Sequence, residues 1–251
     1  MNKLAAMTVG GAMLGRVREG LYQATVVGAT PKQIEFLARE LIKKEGGELS
    51  FTKVPGYHWA TCINLNDGIV HGIPTSEVSF KDGDLVTVDV GVYYKGFHTD
   101  SAFSKVVGTA SAAQKRFLAA GMEGLKRAIA AVRPGNRIGD ISKEMDETTK
   151  KYGYACTREL TGHAVGKELH EEPLISNVVL GPREKTPLIV EGQTLAIEII
   201  YVEGKPDLVM EKDGWTISTR DGKLSAVFEE TVAVTGDGCT ILTTPSLFQI
   251  L

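Results

Sequence analysis

Two aspartates, Asp89 and Asp100, occur in segments that otherwise favour buried strands. The valines at even positions over 86–92 share one strand face, and Asp89 lies on the other. A tight turn centred on residues 94–95 would make a β-hairpin and would place Asp100 directly opposite Asp89. Like charges placed opposite each other are destabilising, and a divalent cation between the carboxylates would remove that repulsion. The hairpin is therefore a candidate metal site.

Two simpler readings of this hairpin remain open. A bulge at Gly96 would slip the register by one residue and send Asp100 to the other face of the sheet. Alternatively, both acids lie on an edge strand and point into solvent.

A second acid-bearing strand pair follows the same pattern. Asp89 lies six residues after Asp82-Gly83, and Glu198 lies six residues after Glu191-Gly192, in a strand predicted over 194–202. The partner strand, predicted over 226–234, carries Glu229 and Glu230. Alternation sends these two to opposite faces, so only one can face Glu198. The repeated spacing predicts an internal duplication within a single domain over 1–251, with halves of roughly 1–108 and 109–251.

Three of the five histidines, His71, His163 and His170, lie in segments predicted as loops with nearby glycines. A lone histidine is more often a hydrogen-bonded structural residue, but three such placements favour a shared site. The His-Glu-x-x-His zinc motif is absent. A carboxylate-rich site with little histidine suits two divalent ions that activate water for hydrolysis.

Composition sets further limits on function. The chain has 251 residues, a net charge of −3 and three scattered cysteines. These values argue against nucleic-acid binding and a disulfide framework, and they predict a cytoplasmic protein. The apolar stretch over 1–14 is interpreted as the start of a helix that continues to Val26, rather than as a signal peptide. No stretch is apolar enough for a membrane span.

Capping residues, prolines and glycines predict where the remaining elements begin and end. Capped helices begin after Thr30 and Ser111, and they end at 46–47 and before Pro134. Asn136 is predicted to cap a further helix that ends at Gly153. Extended segments are expected around Phe51 and over 62–65, and a hairpin or lobe over the site is expected at 213–222.

Motifs along essentially the whole chain resemble the type I methionine aminopeptidases of the creatinase/aminopeptidase family, peptidase family M24. The motifs are CINLN at 62–66, HGIP at 71–74, VDV at 88–90, GFHTD at 96–100, GHAVG at 162–166, HEEP at 170–173, AIE at 196–198, DGWT at 213–216 and SAVFE at 225–229. Each motif alone is a modest signal. Their order and spacing together are highly specific.

This resemblance implies an α+β pita-bread fold: pseudo-twofold halves with a curved, mostly antiparallel sheet covered by helices. It also implies two divalent ions (cobalt, manganese, iron or zinc) and allows one monovalent cation. The implied metal ligands are Asp89, Asp100, His163, Glu198 and Glu229, with Asp89 and Glu229 bidentate or bridging and Asp100 bridging.

The resemblance further assigns catalytic and substrate roles. Glu198 is implied as the acid/base for the attacking water, His170 as the contact of the scissile carbonyl or oxyanion, and His71 as a neighbour of the substrate amide nitrogen. Tyr57, Cys62, Leu169 and Trp215 are implied to line the pocket for the methionine side chain. Val54, Ala164, Ile199 and Glu230 depart from the residues usual in the family, and none of these departures removes a ligand.

The leading hypothesis is a metal-dependent aminopeptidase that removes initiator methionine from nascent proteins with small second residues. The alternatives are an Xaa-Pro peptidase or creatinase-like relative, and a non-catalytic pita-bread binding protein. Expected partners are a peptide or nascent N-terminus and, from the family role, the ribosome. Neither a membrane nor specific nucleic-acid binding is expected, and nothing in the sequence demands more than a monomer.

Overall fold

A computed structural model describes residues 1–250. The helices are α1 (Lys3–Ala24), α2 (Pro31–Glu45), α3 (Ala112–Ala130), α4 (Ile138–Tyr152) and α5 (Leu247–Ile250). The capping boxes predicted at Thr30 and Ser111 are both present. Gly153 ends α4 in the left-handed conformation, as expected for a helix C-terminus.

The strands run in chain order and pair antiparallel. They are β1 (Glu48–Leu49), β2 (Thr61–Leu65), β3 (Gly68–Val70), β4 (Leu85–Tyr94), β5 (Phe97–Val106), β6 (Ala155–Cys156), β7 (Thr161–Ala164), β8 (Glu171–Ser176), β9 (Thr194–Val202), β10 (Leu208–Met210), β11 (Ile217–Thr219), β12 (Ser225–Val234) and β13 (Cys239–Ile241).

Two larger sheets carry the acid-bearing strands. In the first sheet, β5 pairs with the whole length of β4 along one edge, and β2 and β1 pair with successive stretches of β4 along its other edge. The second has the order β13-β12-β9-β7-β8, with β6 also paired to β9. A small third sheet, β10-β11-β3, includes part of the segment predicted as a lobe. The mixture of helices and antiparallel sheet is the α+β class expected from the sequence.

Helices cover one face of each sheet. Helix α1 packs on β4 and β5, whereas α3 packs on β9 and β12. The covered face is apolar because strand alternation puts Val88 and Val90 there in the first sheet, and Ile197 and Ile199 in the second. The acids lie on the other faces. Alternation therefore places the acidic faces of both sheets in the interior of the protein.

Strands β5 and β12 meet through side-chain hydroxyls, which we call the hydroxyl seam (Ser101, Ser104 and Thr231). Thr231 Oγ1 accepts from the Asp100 amide at 2.9 Å and donates to the Asp100 carbonyl at 2.8 Å. Ser101 Oγ donates to the Glu229 carbonyl at 2.7 Å. Ser104 Oγ joins β5 to both backbone groups of Val227 at 2.9 Å. The seam holds the two sheets together beside the acids.

Several local predictions were wrong. Helix α1 ends at Ala24, before Val26, and the Thr25 hydroxyl donates to the Leu21 carbonyl at its end. Phe51 begins a short 3₁₀ turn rather than an extended segment. The N-cap residue of α4 is Arg137, not Asn136 as predicted.

Asn136 instead donates its side-chain amide to the Ala131 carbonyl at 2.9 Å. The Arg137 amide is satisfied by Asp140 Oδ2 at 2.8 Å, which makes the capping interaction. Within residues 1–250, no helix has both the length and the apolar character that a membrane span requires. The single catalytic domain and its division near residue 108 stay predictions.

Candidate metal centre and substrate pocket

The β4–β5 hairpin differs in register from the sequence prediction. Asp100 pairs with Gly91, and Asp89 pairs with Ala102, so the two acids are not directly opposite. The reason is the turn: Lys95 and Gly96 both have positive φ, of 50° and 91°, which centres the hairpin one residue later. Moving the centre by one residue shifts the pairing by two, so both carboxylates stay on one face.

In the second acid pair, Glu229 and Glu230 lie on opposite faces of β12, as alternation predicted, and the register decides which of them faces Glu198. Glu229 pairs directly with Glu198 across β12 and β9, and Glu230 pairs with Ile197 on the other face. Glu229 is 3% exposed, and the Glu198 side chain is 13% exposed. Two buried carboxylates therefore face each other on this ladder.

His163 lies on strand β7, so its predicted place in a loop was wrong. It pairs with Ala196 of β9, which places its Nε2 3.7 Å from Glu198 Oε1. Its Nδ1 is 3.0 Å from the Ala164 carbonyl. This contact favours a proton on Nδ1 and leaves Nε2 as a lone-pair donor. The His170 ring lies 4.5 Å from the His163 ring, edge to face.

Three of the five predicted ligands converge on one buried position. One ligand atom from each of Asp100, His163 and Glu229 lies within 4.8 Å of the other two. Asp89 Oδ1 and Glu229 Oε1 are buried and lack a hydrogen-bond partner within residues 1–250. Buried oxygens without donors are costly, and a cation would satisfy them. The donor set, carboxylates with one imidazole, fits manganese, iron, cobalt or zinc.

Burial dominates the electrostatics of this cluster. It raises the pKa of Asp89 from 3.8 to about 7, and it raises the pKa values of Asp100, Glu198 and Glu229 well above the usual range. For these last three, neighbouring carboxylates raise the pKa further. Burial also lowers the pKa of His163 to about 4. Neutral ligand groups repel one another less, and a bound cation would favour their charged forms.

An apolar cavity of about 120 Å³ opens onto the cluster. The Tyr57 hydroxyl donates to the Thr61 carbonyl at 2.8 Å and contacts Cys62 Sγ at 3.2 Å. The Trp215 ring packs edge to face on Tyr57, with centroids 5.1 Å apart. The lining residues are Phe51, Val54, Tyr57, Cys62, His71, Asp89, Asp100, Leu169, His170 and Trp215. The structure thus brings together all of the predicted pocket residues and both of the hairpin acids.

Three predicted site residues, His163, Glu198 and Glu229, are not among those lining the cavity. Sequence reasoning missed Phe51, because an isolated aromatic in a predicted extended segment is indistinguishable from a core residue. His71 is at the cavity wall with a φ of 59°, a left-handed conformation that is uncommon for a side chain of this size.

Comparison with known proteins agrees with this geometry. A profile of metallopeptidase family M24 matches residues 5–236. A methionine aminopeptidase of Aquifex aeolicus is 39% identical over 86% of each chain, and methionine aminopeptidase 1 of Bacillus subtilis is 35% identical over 96% of each.

Solved structures give the same result. The methionine aminopeptidase of Thermotoga maritima superposes with a TM-score of 0.93 at 37% identity, over 96% of both chains. A prolidase from Pyrococcus furiosus shares the fold, with a TM-score of 0.74 at 22% identity, over 96% of this chain and 64% of that one. These likenesses confirm the α+β pita-bread fold and a metal-dependent hydrolase. The chain belongs to metallopeptidase family M24 and, within it, to the methionine aminopeptidases.

Proposed function

We propose that this enzyme removes the initiator methionine from nascent chains with small second residues. One observation carries the proposal: an apolar cavity built around Tyr57, Cys62 and Trp215 opens directly onto Asp89 and Asp100. A thioether side chain is unbranched and packs well against aromatic edges, which such a cavity supplies. The methionine side chain would fill the cavity and leave its peptide bond at the carboxylates.

Two divalent ions would be held by Asp89, Asp100, His163, Glu198 and Glu229. Bound there, they would supply Lewis-acid activation of water and of the scissile carbonyl. The physical support is the two unpartnered carboxylate oxygens and the convergence of three ligand atoms within 4.8 Å. The monovalent cation allowed by the family resemblance is also part of the proposal.

Protein side chains would then handle the protons and the developing charge. Glu198 would be the acid/base, because its carboxylate lies 3.7 Å from His163 Nε2 at the proposed metal site, where it can take a proton from the attacking water and pass it to the leaving amine. His170, beside His163, would donate to the oxyanion of the tetrahedral intermediate. His71, on the cavity wall, would contact the substrate amide nitrogen.

The activity is proposed for a cytoplasmic monomer that meets nascent chains at the ribosome. Light scattering tests the monomer, and co-sedimentation with ribosomes tests the association. These two measurements are independent of the peptidase assay.

The decisive assay measures methionine release from Met-Gly-Met-Met, beside Xaa-Pro peptides, using protein stripped with chelator and reloaded with cobalt or manganese. We expect metal to restore cleavage of the methionine peptide alone. Glu198→Ala should abolish this cleavage, while Glu203→Ala, at an exposed residue just beyond β9, should leave it unchanged. Cleavage of Xaa-Pro peptides alone would reassign the substrate class. Tight metal binding with no cleavage of either peptide would favour a binding protein.

A further inference from the structure

A fully buried arginine lies behind the metal centre. Arg18, on α1, is 0% exposed. Its guanidinium donates to the Thr243 carbonyl at 3.0 Å, to the Pro245 carbonyl at 2.6 Å and to the hydroxyl of Ser101. Its charge is balanced by Glu230 Oε2 at 2.8 Å. One side chain thus joins α1 to strands β5 and β12 and to the C-terminal segment.

Glu230 is also 0% exposed and is held by further donors. The Thr243 hydroxyl and the Leu247 amide both donate to its carboxylate. Because Glu230 pairs with Ile197, its side chain lies on the face of β12 opposite that of Glu229. The Arg18–Glu230 pair is therefore outside the cavity and is not a ligand.

Ser101 connects this ion pair to two proposed ligands. Its hydroxyl accepts from Arg18 and donates to the backbone carbonyl of Glu229 at 2.7 Å. Its amide donates to Asp100 Oδ1 at 3.0 Å. Glu230 itself directly follows Glu229 along β12. The guanidinium thus contacts Ser101, which follows Asp100 on β5, and Glu230, which follows Glu229 on β12.

We propose that the Arg18–Glu230 pair is a positioning device that sets the spacing of Asp100 and Glu229 across the hydroxyl seam. This inference rests on the proposed function, because that function makes Asp100 and Glu229 metal ligands. A buried ion pair is weak evidence for stability, since apolar residues of similar volume often serve as well. The hydrogen bonds of Arg18 are directional, so they fix the relative positions of the segments that they join. Partners that orient ligands commonly change metal affinity by about 10–100-fold when mutated.

Four variants separate positioning from general stability. Ser101→Ala removes only the bridging hydroxyl and should fold. Arg18→Lys keeps the charge but loses the planar fork. The double variant R18M/E230M removes both charges together and leaves neither buried alone. Phe117→Leu, on the buried face of α3 in the apolar core, serves as a control for destabilisation without contact with the pair.

A second ion pair, in which the carboxylate is buried and the arginine is partly exposed, supplies a control. Glu35 accepts from Arg39 Nε at 2.6 Å, from the Ala60 amide at 2.9 Å and from the Thr61 amide at 3.0 Å. It holds the turn that precedes Cys62, at the substrate pocket. Glu35→Gln therefore perturbs a buried carboxylate of the same kind at the pocket rather than behind the ligands.

The measurement is the Kd for manganese and cobalt by calorimetry, with the visible spectrum of the cobalt form, well below the melting temperature of each metal-free protein. We expect Ser101→Ala and Arg18→Lys to weaken metal binding about tenfold, and R18M/E230M to weaken it 10–100-fold with an altered cobalt spectrum. Glu35→Gln and Phe117→Leu should keep the wild-type Kd and spectrum even where they melt earlier.

The proposal is overturned if Ser101→Ala and R18M/E230M keep the wild-type Kd and spectrum. It is equally overturned if Kd follows melting temperature alike in all five variants. Methionine release by the wild type is assayed separately. Loss of metal affinity in the variants of a protein that binds metal but cleaves no methionine peptide would reject the proposed function and retain this inference. A wild type that binds no divalent metal rejects both.

Discussion

Replacing Asp89 by asparagine should stabilise the metal-free protein while removing its metal site. Burial raises the pKa of Asp89 from 3.8 to about 7. Between these two values the folded state holds a proton that the unfolded state has lost. Unfolding therefore releases a proton, and the free energy of unfolding falls as the pH rises. This decrease in the free energy of unfolding begins near pH 4 and is complete above about pH 7.

The size of the effect follows from the same pKa shift. At about 1.36 kcal/mol per pKa unit, the rise in the pKa of Asp89 from 3.8 to about 7 lowers the free energy of unfolding of the wild type by about 4 kcal/mol at high pH. Asparagine is neutral at every pH and avoids the loss. For a chain of this length, each kcal/mol of unfolding free energy shifts the melting temperature by about 2–4 °C. Asp89→Asn should therefore melt about 8–16 °C above the wild type at pH 8 without metal, and much closer to it near pH 4.

Thermal unfolding by circular dichroism, after treatment with chelator, tests this expectation at both pH values. Asp207→Asn, at an exposed aspartate, is the control and should not alter the pH dependence. Saturating manganese should reverse the order, because only the wild type gains binding free energy in the folded state. A metal-free Asp89→Asn protein that melts at or below the wild type at pH 8 would refute the reasoning.

Four further substitutions test the site and the core. Glu198→Gln should lower kcat on the order of 10²–10⁴-fold, because it removes the acid/base, and steady-state kinetics on metal-loaded protein measure this. His170→Ala should lower kcat on the order of 10²-fold or more with a smaller effect on KM, because it removes a donor to the oxyanion; an effect confined to KM would contradict that role. Trp215→Ala should raise KM for the methionine peptide and leave the manganese Kd unchanged, because Trp215 packs on Tyr57 in the cavity wall and is not a proposed ligand. Phe117→Ala should cost about 3–5 kcal/mol in urea unfolding, because the residue is 1% exposed in the core; a cost below about 1 kcal/mol would contradict its packing role.

Alternation predicted the parts of the site that depend on a regular strand. It sent Glu229 and Glu230 to opposite faces, because side chains in a strand have a period of two, and the observed register puts Glu229 opposite Glu198. It failed at Asp100, because the register of a hairpin depends on the turn, and the positive φ of Lys95 was not evident from composition.

Other features depend on contacts between distant residues. His163 was expected in a loop because a glycine precedes it, yet pairing with β9 makes it part of a strand. The ion pair joins Arg18 to Glu230, far apart in the chain, and no local pattern links them. The assignment of roles to the ligands came from resemblance to the family, because the pattern of acids and histidines predicted a metal site for hydrolysis but not the role of each residue.

The hydroxyl seam divides the proposed ligands between two sheets. Asp89 and Asp100 come from the hairpin, and His163, Glu198 and Glu229 come from the second sheet. An ion bound by both groups would be a removable cross-link between the two sheets, added to their apolar packing, the hydroxyl seam and the Arg18–Glu230 pair. At a metal concentration of about 100 Kd, such a link adds about 2.7 kcal/mol to the folded state. If the proposed ligands hold the ion, the free metal concentration would set how firmly the two sheets hold together as well as the rate of catalysis.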